Sequence, residues 1–279
     1  MPNLAVIGHP VAHSRSPAMQ TAALTELGLA GEWTYGALDF APEDFEAEVA
    51  ELAAEGEYAG VNITVPHKEA ALALADEASE AARAIGAANT LTFTDGRIAA
   101  DNTDAGGLLR ALPAGSAGGR VLVLGAGGAA RAAIWALRHG GEGAPDEPGE
   151  PTTMPPSEVD VWNRTAERGE RVAAELGARA VAAPNLADYI LIVNTTAVGL
   201  KGEEPFDHLP LGASSFGPDQ VVVDMVYGDE PSPLLEAAAG RGAVVVDGLE
   251  MLVQQGALSL RIWTGEEPSL EAMRAAVRH

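Results

Sequence analysis

The chain has 279 residues, of which 47% are hydrophobic, so it can bury the core of one or two globular domains. Its formal net charge of −23 argues against binding to nucleic acids and anionic membrane surfaces, and no apolar run is long enough to span a membrane. The absence of cysteine excludes disulfides, thiolate metal sites and a cysteine nucleophile.

The first part of the chain alternates strands and helices, which predicts an α/β domain. The start lacks the basic region of a signal peptide, so we expect a cytoplasmic protein. Ser16 resembles an N-cap with Pro17 at the first helical position, and this helix should end near Gly28. Lys68 should open a later helix. We predict strands at 4–7, 33–40 and 61–65, an acidic helix at 42–55, and a hairpin of 90–93 with 97–100 closed by Asp95-Gly96.

A second unit should begin after Asp104. The predicted strands are 121–124, 159–162, 190–193, 221–224 and 244–246. The predicted helices are 105–112, a helix that follows the glycine-rich segment after Leu124 and ends at His139, 250–263, and a final helix at the end of the chain. Residues 141–157 are rich in Gly, Pro and Glu and show no periodicity, which indicates a solvated insertion.

Gly125-Ala126-Gly127-Gly128-Ala129-Ala130 follows an apolar strand and opens a helix, the context of a Rossmann pyrophosphate loop. Glycines there allow a tight turn and a close approach of backbone to phosphate. The alternative is a plain tight turn, which Gly/Ala-rich chains often produce. The strand, loop and helix together favour a dinucleotide site.

The end of the next strand indicates which dinucleotide is bound. NAD sites usually carry a carboxylate there, whereas this strand continues into Asn163-Arg164-Thr165, with Arg168 one turn later. Arginine matches a 2′-phosphate in charge and in bidentate geometry. The alternative is an ordinary solvated helix start, and the pair of arginines favours NADP.

Lys68 is one of only two lysines and ends the segment Asn62-Ile63-Thr64-Val65-Pro66-His67-Lys68. A lysine amine can exchange a proton and donate to a substrate hydroxyl, which a guanidinium does poorly. The alternative is that Lys68 is an ordinary surface residue, and only the motifs around it can distinguish the two roles.

These neighbours resemble the motifs of the shikimate dehydrogenase family over most of the chain, in the same order. The matching segments are His13-Ser14-Arg15-Ser16-Pro17, the Asn62–Lys68 segment, Gly86-Ala87-Ala88-Asn89-Thr90, Asn102-Thr103-Asp104, Asn163-Arg164-Thr165, Asn194-Thr195-Thr196, Asp224-Met225-Val226-Tyr227 and Asp247-Gly248 with Met251-Leu252-Val253 and Gln255. The resemblance implies reversible NADPH-dependent reduction of 3-dehydroshikimate to shikimate, a step of chorismate and aromatic amino acid biosynthesis.

The resemblance also implies roles for individual residues. Lys68 and Asp104 would be the catalytic pair, although a structural salt bridge, or helix capping by Asp104, would also explain them. The substrate residues would be Ser14, Ser16, Asn62, Thr64, Asn89, Tyr227 and Gln255, for which capping, turn and surface roles are the alternatives. The cofactor residues would be Gly125, Ala126, Gly127, Gly128, Ala129, Asn163, Arg164, Thr165, Arg168, Thr195, Met225 and Gly248.

We therefore expect two α/β domains. Residues 1–104, completed by 248–279, would form the substrate domain, and 105–247 a Rossmann-type NADP domain, in a monomer or homodimer. An NAD-dependent quinate/shikimate dehydrogenase and a non-catalytic NADP-binding regulator are the alternatives. Ser16 and Arg164 argue against the first, and Lys68 with Asp104 against the second. No metal is expected, because His9, His13 and His67 lack partners at ligand spacing.

Overall fold

The computed structural model describes residues 2–116, 119–139 and 158–278. The chain forms two compact units, one of Met1–Gly107 with Leu252–His279 and the other of Leu108–Met251. These boundaries fall at 107 and 251, against 104 and 247 expected from the sequence. The predicted insertion at 141–157 lies outside the described residues.

The described residues form strands and helices that alternate along most of the chain. The strands are β1 Asn3–Gly8, β2 Thr34–Asp39, β3 Tyr58–Ile63, β4 Glu77–Ala78, β5 Thr90–Thr94, β6 Arg97–Asp101, β7 Arg120–Leu124, β8 Glu158–Trp162, β9 Arg179–Ala180, β10 Leu191–Asn194, β11 Val221–Asp224 and β12 Val244–Val246. The helices are α1 Ser16–Glu26, α2 Phe45–Glu55, α3 Lys68–Leu74, α4 Glu80–Ile85, α5 Asp104–Ala111, α6 Gly128–His139, α7 Ala166–Leu176, α8 Pro205–His208, α9 Pro233–Ala239, α10 Gly248–Thr264 and α11 Leu270–Val277. Every helix in these described ranges is too short or too polar to cross a lipid bilayer.

The first unit contains a six-stranded mixed sheet in the order β2-β1-β3-β5-β6-β4. β1 runs parallel to β2 and β3, whereas β5 is antiparallel to both β3 and β6. The predicted β5–β6 hairpin is confirmed, and its turn residues Asp95 and Gly96 have positive φ of 51° and 76°. A two-residue turn with positive φ at both positions matches the twist of the strands it joins. The core on this sheet includes Ile7, Phe45, Val61, Ile63 and Leu91.

Helix α1 begins one residue earlier than expected. Ser16 is its first residue and Arg15 the N-cap, so the predicted N-cap role of Ser16 is wrong. The physical reason is that Arg15 has taken a helical conformation, and the N–H of Met19 donates to its carbonyl over 3.1 Å. The hydroxyl of Ser16 is therefore not used for capping.

The second unit contains a six-stranded parallel sheet in the order β12-β11-β10-β7-β8-β9. The strand order reverses direction between β7 and β10, which are hydrogen-bonded neighbours. Parallel sheets of this kind bind ligands outside the carboxyl ends of the strands at such a reversal. The glycine-rich loop follows β7 directly, so the fold brings it to this position.

Candidate active site

Lys68 and Asp104 form an ion pair inside the first unit. Lys68 Nζ lies 2.5 Å from Asp104 Oδ2, and the two side chains are 14% and 6% exposed. Each is the first residue of its helix, Lys68 of α3 and Asp104 of α5. Because little water reaches the pair, salt screens its attraction less than that of a surface pair.

Asp104 does not cap its own helix. The side-chain oxygen of Asn102 instead accepts from the N–H groups of Asp104, over 3.1 Å, and of Ala105, over 3.4 Å. Asn102 thus satisfies the start of α5. The carboxylate of Asp104 is left to face the side chains around it, which removes the capping alternative.

Asn89 contacts Asp104 on the other carboxylate oxygen. Its Nδ2 donates to Asp104 Oδ1 over 2.9 Å, and its Oδ1 accepts from the backbone N–H of Thr103 over 2.7 Å. A backbone N–H can only donate, so this contact fixes the orientation of the Asn89 amide. Both oxygens of Asp104 therefore accept a hydrogen bond, one from Lys68 and one from Asn89.

A buried group of side chains continues from this pair. We call Asn62, Asn89, Thr90, Thr103, Asp104, Gln255 and Ser259 the polar cluster; each is at most 9% exposed. Asn62 Oδ1 accepts from the hydroxyl of Tyr35 over 2.7 Å, and its Nδ2 faces Ser259 Oγ at 2.8 Å. Gln255 Oε1 accepts from Asn89 Nδ2 over 3.2 Å. Three predicted substrate residues, Asn62, Asn89 and Gln255, thus belong to one network with the Lys68–Asp104 ion pair.

Thr64 directly follows β3, whereas Ser14 lies between the neighbouring strand β1 and α1, and Ser16 is the first residue of α1. The N–H of Ser16 donates to Ser14 Oγ over 3.3 Å, and Ser16 is buried. A Cβ on Gly8 would fall 2.4 Å from the methyl carbon of Thr64, so only glycine lets these strands end side by side here. The end of β1 therefore lies beside Thr64.

Sequence reasoning missed three members of the polar cluster, Thr90, Thr103 and Ser259. Thr90 and Thr103 stand inside motifs that matched the family, directly after Asn89 and Asn102, and this was the available signal. Ser259 lies one helical turn after Gln255 on α10, where residues four apart share a face. That spacing was its only signal.

His67, which precedes Lys68, is part of the core. Its ring stacks on Phe45 at a centroid distance of 4.2 Å, and its Nε2 lies 2.8 Å from the carbonyl oxygen of Phe40. Burial lowers the pKa of His67, although the bond to Phe40 acts in the opposite direction. His9 instead pairs with Asp39, its Nδ1 lying 2.6 Å from Oδ1. Among the described residues, no group of three His, Asp or Glu side chains could hold a metal ion.

The glycine-rich loop of the second unit approaches Thr195 closely. Gly125 has φ of 117°, and a Cβ on it would lie 2.5 Å from Thr195 Oγ1, so both conformation and space require glycine. The Thr195 hydroxyl donates to the carbonyl of Leu124 over 2.7 Å, which ties β10 to the end of β7. A Cβ on Gly127, in contrast, would meet no described protein atom within 4 Å, and Gly128 opens α6. The loop therefore leaves open space beside Gly127.

A cleft of about 310 Å³ lies at the carboxyl ends of β8 and β10, and we call it the nucleotide cleft. It brings together Asn163, Arg164, Thr165 and Arg168, all of which the sequence predicted for the cofactor. Sequence reasoning missed the remaining lining residues, which are Trp162, Thr196, Ala197, Val198, Glu203, His208 and Leu209. Two arginines in one cleft provide the charge and fork geometry that an anionic group such as a phosphate needs.

Glu203 is the single carboxylate among the described residues that line the nucleotide cleft. Its Oε2 accepts from the N–H of Lys201 over 3.0 Å and of Gly199 over 3.2 Å. Backbone hydrogen bonds lower the pKa of this carboxyl group. Glu203 thus uses its carboxylate to order its own turn, and the two arginines carry the charge that suits an anion.

Met225, Tyr227 and Gly248 surround the end of β11. A Cβ on Gly248 would lie 2.6 Å from the carbonyl oxygen of Met225, so α10 starts in close contact with this backbone. Asp224, just before, accepts from Asn194 Nδ2 over 2.9 Å, and burial raises its pKa. Tyr227 belongs to the second unit.

Family models match both ends of the chain. The model of the shikimate dehydrogenase substrate binding domain covers residues 6–91. The model of the shikimate 5′-dehydrogenase C-terminal domain covers residues 248–278. Both matched segments contribute to the polar cluster.

Curated relatives match over nearly the whole chain. A shikimate dehydrogenase (NADP(+)) of Thermus thermophilus is 44% identical over 280 residues, which cover 100% of this chain and 98% of the relative. An enzyme of the same name from Methanopyrus kandleri is 42% identical and covers 98% of this chain and 93% of the relative. A solved structure of a Thermus thermophilus shikimate 5-dehydrogenase, in complex with NADP(H) and shikimate, has a TM-score of 0.85 at 43% identity and covers 100% of this chain and 99% of that one.

Proposed function

The chain belongs to the shikimate dehydrogenase family, and we propose that it catalyses the reversible reduction of 3-dehydroshikimate to shikimate with NADPH. The observation that carries this proposal is the Lys68–Asp104 ion pair, held by Asn89 within the polar cluster. We assign the substrate to the first unit and NADP to the second.

Lys68 would be the proton donor during ketone reduction. The residues of the nucleotide cleft would hold NADPH, which supplies the hydride. As the carbonyl carbon is reduced, negative charge develops on its oxygen, and the ammonium group of Lys68 stabilises this charge and gives up one proton. Asn89 and Lys68 both donate to Asp104, and these contacts would orient the ammonium group of Lys68 toward the substrate. In the oxidation direction, neutral Lys68 takes the hydroxyl proton.

The remaining polar side chains of the first unit would orient a small polyol carboxylate. Ser14 precedes α1 and Ser16 begins it, and their short hydroxyls would hold the carboxylate of the substrate. Thr64, which follows β3, would contact a ring hydroxyl. Asn62 and Gln255 already hydrogen-bond within the polar cluster, to Ser259 and Asn89, so contacts with ring hydroxyls would use the donors and acceptors of their amides that remain. Tyr227 is proposed from its family position alone.

The residues of the second unit fit a dinucleotide phosphate. The space beside Gly127 suits a pyrophosphate at the start of α6, and Arg164 and Arg168 suit the 2′-phosphate of NADP. Asn163 supports this turn, since its Nδ2 donates to the carbonyl of Thr165 over 2.8 Å. Ala126 and Ala129 continue the loop, and Thr195, Met225 and Gly248 complete the proposed set of cofactor residues.

The deciding experiment measures nicotinamide absorbance with purified protein, shikimate or quinate, and NADP or NAD. Turnover with shikimate and NADP is expected, and its absence would exclude the proposed function. Faster turnover with quinate and NAD would favour the quinate/shikimate alternative. Binding of NADP without turnover of either polyol would favour a regulator. We also propose a cytoplasmic location, which cell fractionation tests.

A further inference from the structure

We propose that Ser259 is a positioning residue for this reaction, which links the amides of Asn62 and Asn89 and so holds Asp104 in place. The proposal rests on the function proposed above. Ser259 lies on α10 and is fully buried, with 0% of its surface exposed. Ser259 reaches the catalytic pair only through other residues of the polar cluster.

The hydroxyls of Thr90, Thr103 and Ser259 form a triangle. Ser259 Oγ lies 2.9 Å from Thr90 Oγ1 and 3.0 Å from Thr103 Oγ1, and the two threonine oxygens are 3.4 Å apart. These residues come from β5, from the loop before α5 and from α10. The hydroxyl triangle therefore joins three parts of the first unit that are remote in sequence.

The triangle is bounded on one side by Asn62. Asn62 Nδ2 faces the backbone carbonyl of Asn89 at 3.2 Å, and a carbonyl can only accept, so the orientation of this amide is fixed. Its Nδ2 must then donate to Ser259 Oγ at 2.8 Å, the shortest of its contacts. Ser259 accepts this bond and keeps its own hydrogen for the triangle or for the carbonyl of Gln255 at 3.1 Å.

Asn89 bounds the triangle on the opposite side. Thr103 Oγ1 lies 2.9 Å from Asn89 Nδ2, and Thr90 Oγ1 lies 3.1 Å from Asn89 Oδ1. Both threonines thus contact the amide that donates to Asp104. Removal of the Ser259 hydroxyl would take one hydrogen-bond partner from Thr90 and one from Thr103. Asn62 Nδ2 would lose the acceptor that lies nearest to it. Asn89, and with it Asp104, would then be less firmly oriented.

A purely local role for Ser259 is the simpler alternative, because serine and threonine in helices often bond to the carbonyl four residues earlier. Thr264 on the same helix makes that bond, its Oγ1 donating to the carbonyl of Leu260 over 2.8 Å. Thr264 lies outside the polar cluster. Its Oγ1 also accepts from the N–H of Glu266 over 3.2 Å, so Thr264→Ala is a control for loss of the back-bond at a hydroxyl outside the polar cluster.

The test compares Ser259→Ala and Thr264→Ala with the wild type by steady-state kinetics and thermal unfolding. We expect Ser259→Ala to lower kcat/KM for shikimate about tenfold and to leave the KM for NADP within about twofold. Thr264→Ala should change neither constant by more than about twofold. Equal kinetics for the two variants would overturn the proposal.

Two further measurements complete the test. In an Asn89→Ala background, Ser259→Ala should lower kcat/KM by less than about twofold, because its effect passes through Asn89. A full tenfold effect there would contradict the proposal. If the alanine variant does not fold, Ser259→Cys replaces it, with an expected loss of about threefold. Wild-type protein without turnover of shikimate and NADP would instead refute the proposed function, and the role of Ser259 with it.

Discussion

Asn89 Nδ2 lies 2.9 Å from Asp104 Oδ1, the carboxylate oxygen that Lys68 does not contact. The two donors hold Asp104 as an acceptor on both oxygens. Lys68 is then the member of the pair that can exchange a proton with the substrate. In this proposal Lys68 transfers the proton and Asp104 orients it, and variants of Lys68 can test this assignment.

Replacing Lys68 by alanine should abolish turnover while shikimate still binds. General acid–base groups contribute about a hundredfold to ten-thousandfold to rate, and we expect kcat to fall within that range. Calorimetry with shikimate should give a Kd within about tenfold of the wild-type value. Lys201→Ala, at the other lysine of the chain and in an exposed position, is the control and should keep wild-type kcat. Near-normal activity of Lys68→Ala would rule out the catalytic assignment.

Arg164→Ala and Arg168→Ala should weaken NADP binding selectively. A hydrogen bond to a charged phosphate contributes about 1.5 to 3 kcal/mol, so each KM for NADP should rise about tenfold or more. The KM for NAD should hardly change, because NAD lacks the 2′-phosphate. Arg171→Ala is the matched control, since this exposed arginine of α7 is outside the nucleotide cleft. An equal rise in the KM for NADP and the KM for NAD would show that these arginines do not bind the 2′-phosphate.

Alanine at the two loop glycines should give different results. Gly125→Ala strains a φ of 117° and puts Cβ 2.5 Å from Thr195 Oγ1, so we expect a lower melting temperature. Gly127→Ala meets no described protein atom within 4 Å, so the melting temperature should stay close to that of the wild type. Its methyl group would nevertheless occupy the space proposed for the pyrophosphate and raise the KM for NADP. Unchanged NADP binding in Gly127→Ala would place the phosphates elsewhere.

His67 should make stability depend on pH. Burial lowers its pKa, so the folded protein binds this proton less tightly than the unfolded chain. The stabilising effect is fully present above the ordinary histidine pKa of about 6.5 and is lost as the pH falls through the lower folded-state value. His9 and Asp39 act on the same ring with opposite signs. In urea unfolding, His67→Phe, which keeps a ring over Phe45, should lose less stability on acidification than the wild type. Equal losses would exclude His67 as the source.

The sequence predicted much of the fold because its signals were local. The Asp95-Gly96 turn, the glycine loop after β7 and the helix start at Lys68 each depend on a few adjacent residues, and all three are present. The N-cap of α1 was wrong because Arg15 and Ser16 differ by only one position, and local pattern cannot resolve that. Helices α4, α8 and α9 were not predicted, since they have only 6, 4 and 7 residues. Helix α7 entered only as the alternative to a phosphate site, a solvated helix start after Asn163.

The candidate site was predictable only as separate motifs. Asn89 and Asp104 could be recognised by type and order, yet their contact depends on a hairpin that brings the end of β6 beside the start of β5. Ser259 had only its spacing from Gln255 as a signal, because a serine inside an apolar helix has no distinctive pattern of its own. Its partners Asn62 and Thr103 are 197 and 156 positions away in the chain.

The first unit is discontinuous, and this affects how the protein is made. A ribosome releases Lys68 and Asp104 early, then the whole second unit, and only at the end the residues 252–279 that carry Gln255 and Ser259. Domains fold as units during synthesis, N-terminal segments first. The second unit is continuous and can fold before α11 exists, whereas the first has to wait for its last segment. An unfinished chain would therefore hold Lys68 and Asp104 without the helix whose Gln255 and Ser259 contact Asn89 and Asn62, so we expect activity only after α10 has been made.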